Sequence, residues 1–528
     1  MQKLLTLALA SIFYRINVFS QCQPATAINY LDVNNVKATI LNGGDLWWGD
    51  YFVPKDSMIS KLDDGSIWIG GIDHGGQLRI AAQTYRQNGN DFFPGAVEDD
   101  GSVPTSSCNF YDNLWKVSKS TIDSFTSGLF SYIPFSILDW PGRGNPNNGT
   151  PMKDLAPFND VNLDGIYNPV DGDYPCIKGD QALWWIFNDV GSHIETQGAS
   201  MHVEIKAMAY SFKGSGVINN TTFYQYHVTG KPFIDDWGLD TMYFGFWADP
   251  DLGCLTDGYF GCDTSRNLCI AYDPYSTDTF CANPNYHPEQ MIGFRMVGLP
   301  SDTFGNSTPM HSFITYTNDF SVNGNPENAD DYWYYLTGRW KDGSAIVNPD
   351  GNTTTFEYPD SPDDPAGWSQ CLTQNYNSDQ RMVMGFGPMT LEKGESKDFT
   401  LAVIWKAIPD SAFPCPSFSY IQNASDSIQN FFNNYSINCL NTGIVDVKSS
   451  KSFSIFPNPA SDEIHLNFAL ADWKNAGVFD MTGKELIKLD LNGHRELTVN
   501  IGLLERGIYF ISARNDSGVF TSRKLIVQ

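Results

Sequence analysis

The chain has 528 residues, of which 41% are hydrophobic, 14% aromatic and 18% charged, with 33 Lys and Arg against 60 Asp and Glu for a net charge of -27. This aromatic content excludes a disordered chain and supports a large buried core. The acid excess excludes nucleic acid and anionic membrane surfaces as partners, because both would repel it, and favours divalent cations.

At the N-terminus, Lys3 precedes the apolar run LLTLALASIF, which is too short to span a bilayer. A basic start, a short apolar run and a polar break predict a signal peptide over residues 1–21, cut near Ser20 or Gln21. Cys22 follows Phe19-Ser20-Gln21, a poor lipobox. No other stretch reaches the roughly eighteen apolar residues of a spanning helix, so no membrane span is expected. All 10 cysteines fall between Cys22 and Cys439. In an exported chain an even count reads as disulfides. Cys254, Cys262, Cys269 and Cys281 are too widely spaced for a zinc knuckle.

Residues 22–443 read as a β-rich passenger region, with room for two subdomains meeting near residue 200. Triplets such as Ile67-Trp68-Ile69 and Leu78-Arg79-Ile80 are short strands broken by Gly-Gly pairs. Ser118 is placed to cap a short helix over Lys119–Phe125. Residues 141–153 are rich in Pro, Gly and Asn and predict a loop.

Next comes the strongest chemical pattern. Asp160, Asn162, Asp164, Asn168 and Asp171 stand at positions 1, 3, 5, 9 and 12 of a calcium loop, with Gly165 at the sharp turn and the Ile166 carbonyl at position 7. One loop therefore offers most of the six to eight oxygens that Ca²⁺ takes. Asp rather than Glu at position 12, with Pro175 close behind, departs from an EF-hand and looks more like the loops of dockerins or thrombospondin-type repeats. The expected cofactor is a structural Ca²⁺; the plain alternative is an Asp/Asn/Gly turn without metal.

Weaker signals follow. His193-x-Glu195 and His202-x-Glu204 each put an imidazole and a carboxylate on one face of a strand, but no third ligand is visible, and a structural role is the expectation. Asp249, Asp251, Asp257 and Asp263 could form a second cation cluster or be solvated loop acids. Trp47, Trp48, Trp184 and Trp185 could stack on sugars, although such residues more often sit in cores. Runs around 203–205 and 222–228 alternate as strands. Residues 318–379 look like long surface loops, and two strand patterns around Lys393-Gly394-Glu395 suggest a hairpin. Phe418, Ile421, Ser425, Ile428, Phe431 and Tyr435 recur at helical spacing. No nucleophile elbow, P-loop or dinucleotide fingerprint is present, so no catalytic residue and no organic cofactor is assigned. Paired carboxylates of a glycoside hydrolase stay open, since their separation lies in space.

A polar linker over 444–451 leads into residues 452–528, where short alternating strands and turn dipeptides predict a small antiparallel, Ig-like β-sandwich that lacks cysteine. The ordered pieces Pro457–Ile464 (PNPASDEI), Phe479–Leu486 (FDMTGKEL), Gly507–Ile511 (GIYFI) and Lys524–Val527 (KLIV) resemble the type A C-terminal sorting domain of the type IX secretion system. That resemblance implies recognition by the type IX machinery and its sorting peptidase. It also implies removal of the domain, and a mature protein that is secreted or attached to surface glycolipid. Passenger phrases such as LNGGDLWWGD and GFWADPDLG resemble large exported proteins carrying the same domain, a group that brings no established activity. Triplets such as Asp56-Ser57-Met58, Asp240-Thr241-Met242, Asp410-Ser411-Ala412 and Asp426-Ser427-Ile428 resemble the O-glycosylation sequon of these bacteria. The overall expectation is a mainly β exported protein, with a β-sandwich-rich passenger acting as a calcium-stabilised binding or structural module for an extracellular ligand. The alternative is a secreted hydrolase acting on polysaccharide or protein.

Overall fold

The computed structural model describes residues 22–436 and 453–528, apart from 232–236, 253–255, 257, 277–289, 302–306, 374–377, 469–472, 481–483, 492–493 and 516–519. The signal peptide and the linker expected over 1–21 and 444–451 lie outside the described residues. Two compact units divide the chain, Met1–Asn441 and Thr442–Gln528.

The first unit is built on two antiparallel sheets. The eight-stranded sheet runs Ile28–Leu31, Lys37–Leu41, Asp45–Phe52, Asp64–Asp73, Gly238–Asp249, Gln380–Glu392 and Met310–Thr317, with Leu78–Ala81 also pairing on Asp64–Asp73. The nine-stranded sheet runs Tyr259–Asp263, Leu268–Tyr272, Gln290–Gly298, Ser396–Ala407, Thr221–Gly230, Val203–Ser211, Gln181–Asn188 and Phe93–Pro94, with Trp115–Ser118 beside Gln181–Asn188. Each sheet draws strands from both sides of residue 200, so the break expected there is absent.

Side-chain alternation explains the layers. Trp185, Tyr224, Phe244 and Phe399 turn inward to the shared core, whereas Trp184 and Phe223, one residue away, turn outward. Phe244 and Phe399 stack across the sandwich at 3.9 Å between ring centroids. Trp47 is buried among Tyr51, Tyr224 and Phe246, and its indole N–H donates to the Tyr224 hydroxyl at 2.9 Å. Burying each such ring contributes roughly 1.5–3 kcal/mol. Helices then cover the outer faces. Ser118 caps Lys119–Thr126 by accepting from the Thr121 N–H at 3.2 Å, and Ser419–Asn434 buries Ile421, Ala424, Ser425 and Ile428 at three- and four-residue steps.

Three expectations change. Gln380–Glu392 and Ser396–Ala407 are not a hairpin, because they belong to opposite sheets. The left-handed Gly394 (φ 74°) turns the chain across the sandwich, and its N–H donates to the Gly230 carbonyl at 2.8 Å. Within the expected loops of 318–379, Asn328 caps a helix over Ala329–Leu336, accepting from the Asp330 and Asp331 N–H groups. That helix buries Tyr332, Tyr335 and Leu336 against Trp68, Trp247 and Tyr316 on the outer face of the eight-stranded sheet. Disulfides join Cys22 to Cys108 and Cys371 to Cys415, and Cys176 is also disulfide-bonded. Cys262 and Cys269, however, are free and buried in the core, so the even count did not translate into complete pairing. Cys254, Cys281 and Cys439 lie outside the described residues.

The second unit is a small sandwich. Phe453–Phe456, Glu463–Phe468 and Glu496–Asn500 face Glu485–Asp490, Trp473–Phe479, Gly507–Asn515 and Phe520–Val527. Its core gathers Ile464, Leu466, Phe468, Val478, Ile511 and Leu525. Among the described residues no helix is long and apolar enough to cross a membrane.

Candidate functional site

Strand register assembles a cleft at one end of the eight-stranded sheet. Asp64 lies opposite Asp249, and Tyr316 lies opposite Arg381. Asp63 precedes the first of these strands, and Thr84 and Tyr85 follow Leu78–Ala81. Glu195 arrives on a loop and Tyr332 on the helix Ala329–Leu336. Asp63, Thr84, Tyr85, Glu195, Tyr316, Tyr332 and Arg381 border a cavity of about 780 Å³, rimmed by Gln197, Asn318, Asn325 and the largely exposed Phe320.

One network organises its floor. Tyr85 donates its hydroxyl proton to Asp249 Oδ2 at 2.5 Å and accepts from Arg381 Nε at 2.6 Å. The Arg381 guanidinium also reaches Asp249 at 3.3 Å and Asp379 at 2.6 Å. Burial pushes the Asp249 carboxyl upward; Arg381 opposes this, and Asp379 and Asp63 reinforce it. Asp251 and Asp63 are raised for the same first reason. Glu195 is almost fully buried, accepts from the Tyr332 hydroxyl at 2.8 Å and from the Thr84 hydroxyl, and is pushed by burial to about 7. The cleft thus offers donors and acceptors together with aromatic faces.

The expected calcium loop stands elsewhere, between the short paired strands Phe158–Asn159 and Tyr174–Pro175. Asp160 is buried, and its carboxylate accepts from the N–H groups of Leu163 (2.7 Å), Asp164 (3.3 Å) and Gly165 (2.8 Å). Leu163 and Gly165 both take left-handed backbone there. Asn162 Nδ2 donates to Asp164 Oδ2 at 2.9 Å, and Asp164 Oδ1 accepts from the Ile166 N–H at 2.8 Å. Asn168 Nδ2 donates to Asp171 Oδ2 at 2.6 Å. All six expected residues therefore share one loop. Asp173, outside the expected set, is buried and ties Val161 and Asn168 together by accepting both N–H groups at 2.8 Å. Its carboxyl is raised by burial and by Asp160 and Asp164. A single turn over Pro169–Asp171, ending on left-handed Gly172, replaces the exit helix of an EF-hand. The hard oxygen donors suit Ca²⁺ chemically. Among the described residues no three His, Cys, Asp or Glu form a ready metal shell.

The His-x-Glu pairs separate. Both His193 ring nitrogens meet backbone carbonyls, of Ile80 at 2.7 Å and Asp189 at 2.9 Å, while Glu195 turns to Thr84 and Tyr332. Glu204 accepts from the Val97 N–H at 2.9 Å, and His202 sits in left-handed backbone. Asp263 leaves the expected acidic cluster to pair with Arg266 at 2.8 Å, and Asp257 lies outside the described residues. Trp47, Trp184 and Trp185 are core residues, whereas Trp48 is half exposed beneath the Arg86 guanidinium. Of the modification triplets, Met58 is exposed, whereas Met242 and Ile428 are buried. Sequence reading missed Tyr85, Tyr316, Tyr332 and Arg381, which share no local motif.

These features define a mainly β protein, a two-sheet sandwich with a separate small sandwich at its C-terminal end. Residues 454–528 match the family described as the secretion system C-terminal sorting domain. The chain thus carries a type IX sorting tail and is a secreted or cell-surface protein, with the type IX machinery and its sorting peptidase as the partners such a tail implies. No curated protein matches the chain in sequence. Among solved structures it is similar to a polysaccharide lyase, with 6% identity over 61% of this chain and 34% of that one and a TM-score of 0.18. A family GH92 inverting mannosidase from Bacteroides thetaiotaomicron shows 9% identity over 48% and 26% of the two chains, with a TM-score of 0.18. Dimeric latent PorU from Porphyromonas gingivalis shows 9% identity over 66% and 31%, with a TM-score of 0.12. The chain spans about a third or less of each of those proteins.

Proposed function

We propose that the passenger is a calcium-stabilised binding module of the cell exterior that holds a polyhydroxylated, glycan-like ligand in the cleft of Asp63, Tyr85, Glu195, Tyr332 and Arg381. The observation that carries this reading is the cleft itself, about 780 Å³ of space lined by carboxylates, amides, phenols and a guanidinium on a rigid sheet. Sugar hydroxyls need that mixture of donors and acceptors, and the ring faces supply apolar contact. Ca²⁺ held by Asp160, Asn162, Asp164, Ile166, Asn168 and Asp171 has a structural role, locking a loop away from the cleft. Removal of the sorting tail leaves the mature protein released or attached to surface glycolipid.

The test is binding of the full chain to a panel of soluble glycans by calorimetry, beside Arg381→Met. Saturable binding that the variant loses supports the reading. Absence of binding across the panel, or equal binding by the variant, overturns it.

A secreted hydrolase is the second reading, favoured by one observation. Glu195 and Asp63 line the same cleft, and burial raises both carboxyls toward the range of a general acid. Release of reducing ends from a bound glycan, abolished in Glu195→Gln, would establish it.

A further inference from the structure

Three sulfur atoms meet in the buried core between the two large sheets, and a fourth stands on the neighbouring strand. Cys269 Sγ lies 3.6 Å from Met384 Sδ and 3.9 Å from Met310 Sδ. Cys262 is the direct cross-strand partner of Cys269. The cysteines come from the nine-stranded sheet and the methionines from the eight-stranded one, and all four belong to the shared core. Met310 is 5% exposed and the other three are fully buried.

The spacing has a chemical reading. Metal–sulfur bonds of about 2.3 Å place sulfurs about 4.0 Å apart around a trigonal ion and about 3.8 Å apart around a tetrahedral one. The two Cys–Met distances, 3.6 and 3.9 Å, lie close to these spacings. Thiolate and thioether donors select soft ions such as Cu(I).

Charge selects further. One thiolate, two neutral thioethers and a monovalent cation sum to zero, so the filled site carries no net charge into the core. A divalent ion there would leave a charge unbalanced, which is costly in a low-dielectric interior. Cys262 points its thiol toward the Glu357 carbonyl at 3.5 Å and is not required as a ligand.

We propose that Cys269, Met310 and Met384 form a binding site for one soft monovalent cation of the Cu(I) class, clipping the two sheets together. Binding is a substitution without electron transfer. The Cys269 S–H bond breaks, its proton leaves to solvent, and the sulfur pair that held it binds the cation.

The test uses the full chain purified without oxygen. It is titrated with Ag⁺, a redox-inert stand-in, and with Cu(I) buffered by a competing chelator. Both titrations are run on the folded protein and during refolding with the disulfides kept intact. Metal content, ultraviolet thiolate–metal absorption and Tm are read. One equivalent with a raised Tm is expected for the native chain and for Cys262→Ala. Cys269→Ala and the volume-conserving Met384→Leu should lose the absorption and the Tm shift. No bound metal in the native chain overturns the proposal. So does an equivalent retained by both Cys269→Ala and Met384→Leu, or peptide mapping that finds Cys262 and Cys269 joined to each other in the purified protein.

Discussion

The Tyr85 hydroxyl lies 2.5 Å from Asp249 Oδ2, linking a loop residue to the end of a strand 164 positions later. The same oxygen accepts from Arg381, so one phenol couples a buried carboxylate to a buried guanidinium. Tyr85→Phe keeps the ring and removes both bonds. Hydrogen bonds to charged groups contribute about 1.5–3 kcal/mol each. Denaturant unfolding should therefore show a loss of at least about that size, with the slope of the transition unchanged. An unchanged midpoint would mean that the network does not hold the cleft.

Buried carboxyls fix the direction of the pH response. Burial raises Glu195 and Glu357 from an ordinary value of 4.5 to about 7. Between those limits the folded chain binds more protons than the unfolded one, so stability falls as pH rises. Each group accounts for at most about 1.4 kcal/mol per pH unit. Chemical unfolding should be hardest near pH 5 and easier at pH 8. Glu357→Gln should flatten that dependence, because an amide oxygen can still accept from the Thr315 N–H and hydroxyl. A parallel curve for the variant would remove Glu357 as a cause.

The calcium loop contains two kinds of carboxylate, which mutation can separate. Asp160 holds three backbone N–H groups and is buried, so Asp160→Ala should lower Tm even in chelator. The Asp171 carboxylate is exposed and accepts from the Asn168 side-chain amide, so Asp171→Asn should leave the chelated protein nearly unchanged. With calcium at a hundredfold excess over Kd, the native chain gains about 2.7 kcal/mol, and Asp171→Asn should lose that gain. Equal Tm with calcium and with chelator in the native chain would remove the cofactor from the proposed function.

The layered fold was readable because its signal is local. The neighbours Trp184 and Trp185 face opposite cores, as period-two alternation requires, and the stripe through Ile421 and Ile428 describes a helix packed on a sheet. The turn at Gly394 was misread because a hairpin and a crossing between sheets need the same sharp bend; only pairing distinguishes them. The helix at Ala329–Leu336 was hidden in a polar, aromatic stretch whose short stripe gave little periodicity. Cleft residues were opaque for another reason. Asp63, Tyr85, Tyr316 and Arg381 meet only in the folded sheet and the loops beside it, and nothing local marks Tyr85 as different from other tyrosines. Glu195 and Asp249 were noticed only as weak metal-ligand candidates set against structural or solvated roles, because sequence displays neighbours along the chain and not the hydroxyls that fold against them.

Export should depend on the C-terminal sandwich and not on the passenger core. The small unit has its own buried cluster, in which Val478 and Ile511 are cross-strand partners with no side-chain exposure. Ile511→Asp puts an uncompensated charge among Ile464, Leu466 and Leu525, a change that the sandwich cannot absorb. Cells producing this variant, or a chain lacking residues 454–528, should retain the protein, while purified passenger from either source keeps its unfolding midpoint. Wild-type residues 453–528 fused behind a signal peptide and a stable reporter should carry the reporter to the surface or medium. Passenger appearing outside cells in normal amount after either change would show that export uses another signal. Retention accompanied by an unfolded passenger would place the defect in folding and leave sorting unproven.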